Sequence, residues 1–226
     1  MDLTVVIPCL NEEETIGICI DKCMNSFEKL GIEGEVLVVD NGSTDNSAQI
    51  ALNKGARVVN CQEKGYGNAL KFGFKNAQGQ YVLMADGDNT YDFLEIPLLW
   101  KKLEPDVCMV TGTRLKGHIE KGAMPNLHRY FGTPALTLAL NLLYGTRISD
   151  SNCGMRLMKR QCLEEIQFKA TGMEFASELF VEFAKHKFKI VETPISLYKD
   201  VEGRIPHLRP WRDGWRHLKY LIKTKF

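Results

Sequence analysis

Short apolar runs rich in β-branched residues alternate along this chain with longer stretches in which apolar positions recur every three to four residues. The run LTVVIP at 3–8 reads as a strand buried on both faces, and EVLVVD at 35–40 as a second one. Segments 56–60, 80–84 (QYVLM) and 107–112 read the same way. Asn11 stands before Glu12, Glu13 and Glu14, and an Asn N-cap with carboxylates in the first turn predicts a helix running to residue 30. Further helices are predicted from residue 45, after the glycines near Tyr66, and over 125–144, 160–166 and 175–185. Strands are predicted at 155–158 and 189–195. Such alternation at short spacing predicts an α/β, Rossmann-like fold, a mostly parallel sheet flanked by helices.

Residues 1–200 form one domain in this reading, and 201–226 a C-terminal amphipathic extension. In the extension Leu208, Trp211, Trp215, Leu218 and Ile222 fall at helical spacing, and Arg212, Arg216, Lys219, Lys223 and Lys225 lie beside them. Seven basic residues against Glu202 and Asp213 give this segment a net charge of +5, whereas the whole chain carries +1. A basic amphipathic helix with tryptophans predicts an element that lies at a membrane interface and favours anionic lipid. With so small a total charge, no overall field draws the chain to nucleic acid. The apolar share of 44% predicts a real core and excludes a disordered tail. Seven cysteines with no CxxC pair predict reduced, mostly buried thiols and a cytoplasmic setting, at the membrane face if the extension acts as expected. The longest apolar stretch, 131–144, is shorter than the roughly 20 residues a membrane span needs.

In open parallel sheets, ligands bind beyond the carboxyl ends of the strands. Three such ends are polar here: Asn11 and Glu12 after the first strand, Asp40 after the second, and Asp86 and Asp88 after the fourth. Neither GxGxxG nor GxxxxGK[ST] is present, which argues against a dehydrogenase or a P-loop enzyme. Asp86-Gly87-Asp88 sets two carboxylates on a glycine-loosened turn. They can present oxygens to one hard divalent cation, which would bridge a diphosphate. Asp40 suits a ribose or base hydrogen bond. Arg114 follows a strand end in GTR, Arg156 ends SDSNCGMR, and Arg209 and Arg212 flank Trp211. Arginine suits phosphate oxygens.

The ordered set VVIPCLNEEE, VVDNGSTD, KGYGNAL, ADGDNTYD, GTR and DSNCGMR resembles the family 2 inverting glycosyltransferases of GT-A fold. The nearer likeness is to dolichyl- or polyprenyl-phosphate sugar synthases, and it covers nearly the whole chain. The resemblance implies that Pro8, Asn11, Glu12 and Asp40 hold the nucleoside, with Lys64 and Asn68 in the nucleotide pocket. It implies that Asp86 and Asp88 meet the diphosphate and Mg2+ or Mn2+, and that Arg114 and Arg156 contact donor or acceptor phosphates. One departure is Thr90, where close mannosyl relatives often carry a metal-binding Gln. The implied reaction is a single displacement with inversion, from a nucleotide sugar (UDP-sugar favoured, GDP-mannose the alternative) to a polyprenyl phosphate. An anionic phosphate acceptor needs charge neutralisation more than a base, and Arg114, Arg156, Arg204 and Arg209 are the candidates. If a sugar hydroxyl is the acceptor instead, Asp150, Glu174 or Glu178 is the expected base. A third reading is a regulatory protein that binds nucleotide sugars without turnover.

Overall fold

The computed structural model describes residues 1–201 and 210–225. Its strands are β1 (Leu3–Cys9), β2 (Gly34–Asp40), β3 (Arg57–Asn60), β4 (Tyr81–Met84), β5 (Val107–Thr113), β6 (Arg156–Lys159) and β7 (Lys189–Pro194). They form one sheet in the order β3-β2-β1-β4-β6-β5-β7. All neighbours are parallel except β6, which runs antiparallel to both β4 and β5. The chain builds outward from β1 to β3, then returns to the other side of β1 with β4. That reversal makes the carboxyl ends of β1 and β4 the switch point where such sheets bind ligands.

Alternate strand residues feed two cores. Val5, Ile7 and Val38 pack with α1 (Ile16–Leu30), α2 (Ser47–Asn53) and α4 (Ile96–Trp100) on one face. On the other, Val6, Val39 and Met84 pack with α3 (Tyr66–Asn76), α5 (Thr133–Tyr144), α6 (Arg160–Glu164), α7 (Phe175–Lys185) and α8 (Pro210–Lys225). No cysteine forms a disulfide, and all but Cys108 are buried.

Two elements differ from the sequence reading. The first helix starts at Ile16, not after Asn11. Asn11 takes a left-handed conformation with φ of 57°, which Asn tolerates better than most side chains. Its Oδ1 accepts from the Thr44 backbone N–H at 2.8 Å, so it ties the β1 loop to the β2 loop instead of capping a helix. The stretch 125–144 is not one continuous α-helix: a π-helical segment at His128–Gly132 precedes α5. Pro134 has no N–H to continue the ladder, and the extra residue is accommodated just before it.

α8 docks by its Leu221 side, with contacts to α5 and α7. Tyr144 donates to the Leu221 carbonyl at 2.8 Å, and Tyr220 donates to Glu178 at 3.1 Å. The tail stripe read from sequence is split: Trp215 and Ile222 are exposed, and Leu208 and the Trp211 side chain lie outside the described residues. Among the described residues no helix is long and apolar enough to cross a membrane.

Candidate active site

The residues expected on the nucleoside side sit where three loops are stitched together. Pro8 lies opposite Val39 and Cys9 opposite Asp40, so the ends of β1 and β2 are level. Asp40 Oδ1 accepts the Ser43 N–H at 2.9 Å, and Ser43 Oγ accepts the Asn11 N–H at 3.0 Å. Glu12 is buried, and its N–H donates to Ser47 Oγ at 2.7 Å. Lys64 reaches over this turn, its Nζ donating to the Asn41 carbonyl at 2.7 Å. Gly42 makes that approach possible: its φ is 93°, and a Cβ there would collide with Lys64 Nζ. Gly65, with φ of 128°, leaves no room for a Cβ against the Thr171 carbonyl oxygen. Asn68 donates to the Lys64 carbonyl at 3.0 Å, while its Oδ1 is buried without a hydrogen-bond partner. Its side chain lines a separate groove between α3 and α6, with Phe72 and Leu163.

β4 delivers the acidic pair. Tyr66, at the start of α3, donates its phenol to Asp86 Oδ1 at 3.0 Å. Burial and then the Asp86 charge push the Tyr66 hydroxyl well above its ordinary pKa, so it remains a proton donor at any physiological pH. On the other side of the carboxylate, a Cβ at Gly154 would meet Asp86 Oδ2 at 2.7 Å, so only glycine fits there without a shift. Tyr91 fixes this glycine, its hydroxyl accepting the Gly154 N–H at 2.8 Å. Thr90 explains its departure from the relatives: its N–H and hydroxyl both donate to Asp88 Oδ1, at 3.0 and 2.7 Å. Tyr66→Phe keeps the ring and removes the bond that orients Asp86. Since a hydrogen bond to a charged group contributes roughly 1.5–3 kcal/mol, steady-state kinetics should show the donor kcat/KM falling about tenfold with acceptor KM unchanged.

Because β6 runs antiparallel, its first residue lies beside the last residue of β4, Arg156 opposite Met84. The loop that precedes it is thereby brought to Asp86. Arg156 itself is fully buried. Its Nε donates to the Cys153 carbonyl at 2.9 Å, Nη1 to Ala176 at 2.7 Å and Nη2 to Ser151 at 3.0 Å, and it stacks 4.1 Å from the Phe180 ring centre. This differs from the expected phosphate contact: the guanidinium is spent on the backbone of the loop and of the first turn of α7.

Arg114 and Asp150 form a bidentate pair, Nε and Nη2 each 2.8 Å from a carboxylate oxygen, with the Arg114 N–H also on Asp150 at 3.0 Å. Burial is the largest single influence and raises the Asp150 carboxyl, but the Arg114 charge together with the hydrogen bonds from Arg114 and the Asn152 N–H outweighs it and holds the pKa below the ordinary value. Asp150 is therefore ionised, fully buried and occupied, which is unfavourable for a base. Its stabilising contribution is present above the unfolded carboxyl pKa and is lost as pH falls through the lower folded value. Glu192, which carries no signal in the sequence reading, anchors the loop: its Oε1 accepts from Ser149 N at 2.6 Å and Asp150 N at 3.4 Å. Glu178 is likewise committed, accepting the N–H groups of Lys169 and Ala170 at 2.8 and 2.9 Å. Glu174 pairs with Arg216 at 2.9 Å.

Asp86, Tyr66 and Arg114 line one cavity of about 640 Å3. The rest of its wall is largely apolar, with Met124, Phe131, Leu136, Met173, Trp215 and Leu218. Of the basic tail candidates, Arg212 lies exposed on α8, and Arg204 and Arg209 lie outside the described residues.

Among solved structures, glucosyl-3-phosphoglycerate synthase from Mycobacterium tuberculosis, in complex with Mn2+, UDP-glucose and phosphoglyceric acid, matches with a TM-score of 0.76 at 23% identity. That match covers 99% of this chain and 79% of the other, and at such identity it speaks for the fold, which is GT-A. The sequence profile of Glycosyl transferase family 2 matches residues 4–167, from β1 to the end of β6 and beyond. The chain belongs to this family. A relative from Haloferax volcanii, low-salt glycan biosynthesis hexosyltransferase Agl6, is 42% identical over 221 residues, covering 97% of this chain and 53% of its own length. This chain thus spans about half of that relative. A dolichyl-phosphate hexose transferase of the same organism is 32% identical over 229 residues, covering 99% of this chain and 93% of itself.

Proposed function

We propose that the chain transfers a hexose, with inversion, from a nucleoside-diphosphate sugar to a polyprenyl phosphate at a membrane surface. The observation that carries this reading is the cavity in which Asp86 and Arg114 meet an apolar wall. A phosphate head suits the Arg114 end and a hydrocarbon chain suits Phe131, Leu136 and Leu218. Phosphoglyceric acid, which the mycobacterial synthase binds, is small and polar and would leave that wall uncovered. The dolichyl-phosphate hexose transferase among the relatives supports the same acceptor class. An anionic phosphate needs no base, in keeping with the engagement of Asp150 and Glu178 by structural bonds. A sugar hydroxyl would need one.

For the donor, UDP-sugar is favoured, with Asp40, Lys64, Asn11, Glu12 and Pro8 on the nucleoside side. Asp86 and Asp88 offer hard carboxylate oxygens, and among the described residues no group of three or more His, Cys, Asp or Glu side chains assembles. The protein would therefore provide two ligands and leave the rest to diphosphate and water, a donor set that fits Mg2+ or Mn2+. A bound ion of this kind neutralises charge on the departing nucleoside diphosphate.

Leu127, Phe131 and Trp215 line the cavity and are exposed, and Tyr130, Leu138, Leu142 and Ile222 are exposed on the same elements. Arg212, Lys219 and Lys223 are exposed on α8. Apolar side chains beside basic ones favour an anionic lipid surface. The test offers labelled UDP- and GDP-sugars to polyprenyl phosphate in anionic vesicles and to 3-phosphoglycerate, each with Mn2+, Mg2+ or EDTA. Lipid-extractable product that EDTA abolishes is the expected result. Transfer to 3-phosphoglycerate alone, or nucleotide release without a lipid product, would overturn the acceptor assignment.

A further inference from the structure

Three of the buried cysteines behave as small hydrophobes, each with one weak bond to the backbone. Cys19 reaches the Gly87 carbonyl at 3.5 Å, Cys61 that of Glu63 at 3.4 Å and Cys153 that of Met155 at 3.8 Å. Cys108 and Cys162 meet each other instead, with their Sγ atoms 2.7 Å apart. A disulfide bond is about 2.05 Å long, and two thiols that merely pack stand farther apart than this pair does. Both are free thiols in this structure, and only a small side-chain adjustment separates their approach from a bond.

The fold brings them together. β6 runs antiparallel to β5 with Met109 opposite Met158, so Cys108, near the start of β5, lies by the end of β6. α6 follows β6 without a break, and its first turn returns Cys162 to the start of β5. Cys162 shares a core with Met109, Met158 and Leu163, whereas Cys108 is half-buried at the edge of that core. Burial, and after it the bond to Cys108, pushes the Cys162 thiol up to about 12, so it holds its proton until it reacts. Cys108 is therefore the sulfur that a reagent from solvent meets first. The pair stands at the opposite ends of β5 and β6 from Arg114 and Arg156. Between the two cysteines, however, lie Arg114, Met124, Phe131, Leu136, Asn152 and Gly154, which form much of the cavity wall.

We propose that Cys108 and Cys162 close into a reversible disulfide, with a small-molecule disulfide as oxidant, and so staple the ends of the segment that builds the cavity wall. The Cys108 thiolate attacks one sulfur of the oxidant, forms a mixed disulfide and releases the first small thiolate. Cys162 then loses its proton to solvent and attacks Cys108 Sγ, which expels the second. Two protein thiols are oxidised to one disulfide while one small disulfide is reduced to two thiols. The staple stabilises by restricting the unfolded chain, in which residues 54 apart would otherwise move freely. It would operate whatever acceptor the protein uses.

The test incubates the full chain with oxidised glutathione, then denatures, alkylates and digests it. Of the seven cysteines five should take the alkyl group, and one pair of peptides should be joined through Cys108 and Cys162. The oxidised chain should melt about 5–10 °C above the reduced one, and dithiothreitol should cancel the rise. Cys108→Ser and Cys162→Ser should each abolish the difference between oxidised and reduced protein. Alkylation of all seven cysteines, a mixed disulfide that persists at Cys108, or a bond between another pair would overturn the proposal. So would a Cys108–Cys162 bond that leaves the melting temperature unchanged. If Cys162→Ser does not fold, Cys108→Ser, at the more exposed position, decides the comparison.

Discussion

Asp86→Asn is expected to lower hexose transfer by about a thousandfold while leaving the melting temperature close to that of the wild type. Losing one preorganised group that meets charge at the reacting centre costs roughly 10²–10³ in rate, and here the lost group is a full negative charge. The fold should tolerate the change because Asp86 is only partly buried, at the open end of β4. Asn has the same shape, can still accept from Tyr66, and fits beside Gly154 as the carboxylate does. What it cannot do is draw a divalent cation to the diphosphate, so the deficit should persist at saturating Mn2+. Asp88→Asn should behave alike, since Thr90 already occupies Asp88 Oδ1 and would hold the amide in the same place. Radiolabel transfer and thermal unfolding, read on the same preparation, separate the two effects. Activity of Asp86→Asn within tenfold of the wild type would remove the pair from the reaction.

Tyr66→Phe provides the contrast. The phenol touches the carboxylate and not the reacting atoms, so its loss should loosen donor binding without touching the acceptor. The two variants therefore distinguish a charge that the reaction needs from the bond that aims it.

Much of this architecture is legible along the chain because strands buried on both faces leave uninterrupted apolar runs, and β1, β2, β4 and β5 all do so. The strand-end rule then leads to Asp40, Asp86 and Arg114, since it needs only the order of elements. Side-chain roles inside loops are set by partners far away in sequence, and there the residues alone mislead. Asn11 has the chemistry of a helix cap, yet its partner is Thr44, 33 residues on. Asp150 has the chemistry of a base, and Arg114 takes both its oxygens. Tyr66 and Tyr91 carry little local signal as site residues, because an aromatic at a helix start or after a strand most often packs a core. The segment KGYGNAL does hold one clue to Tyr66: two glycines around one tyrosine mark a close backbone approach, and Gly65 and Gly67 meet the Thr171 and Ala170 carbonyls. The antiparallel turn of β6 is equally hidden. That reversal brings the SNCG loop back to the end of β4, and no periodicity distinguishes the two directions of so short a strand.

Arg156 carries the largest expected effect on stability. The sequence suggests a phosphate ligand whose loss would cost activity far more than stability, whereas the buried guanidinium and its three carbonyls predict the opposite order. Arg156→Ala strands three carbonyls, those of Ser151, Cys153 and Ala176, in a site without solvent. Each unsatisfied buried polar group costs roughly 1–3 kcal/mol, and the space left beside Phe180 adds a cavity term. The sum is comparable with the total stability of an ordinary domain, about 5–15 kcal/mol. The variant should therefore melt about 10–15 °C lower or fail to accumulate as folded protein. Arg156→Lys should recover only part of this, because one ammonium cannot reach three carbonyls that a planar guanidinium meets from three nitrogens. Transfer activity should fall in step with the folded fraction and return when a nucleotide sugar is present in excess, since a ligand that binds only the folded chain shifts the balance towards it. Denaturant unfolding of the wild type and both variants, with activity measured alongside, checks the prediction. Wild-type stability with activity abolished in Arg156→Ala would mean that the guanidinium leaves its carbonyls to meet substrate during turnover, and the buried arrangement would then be only one of its two positions.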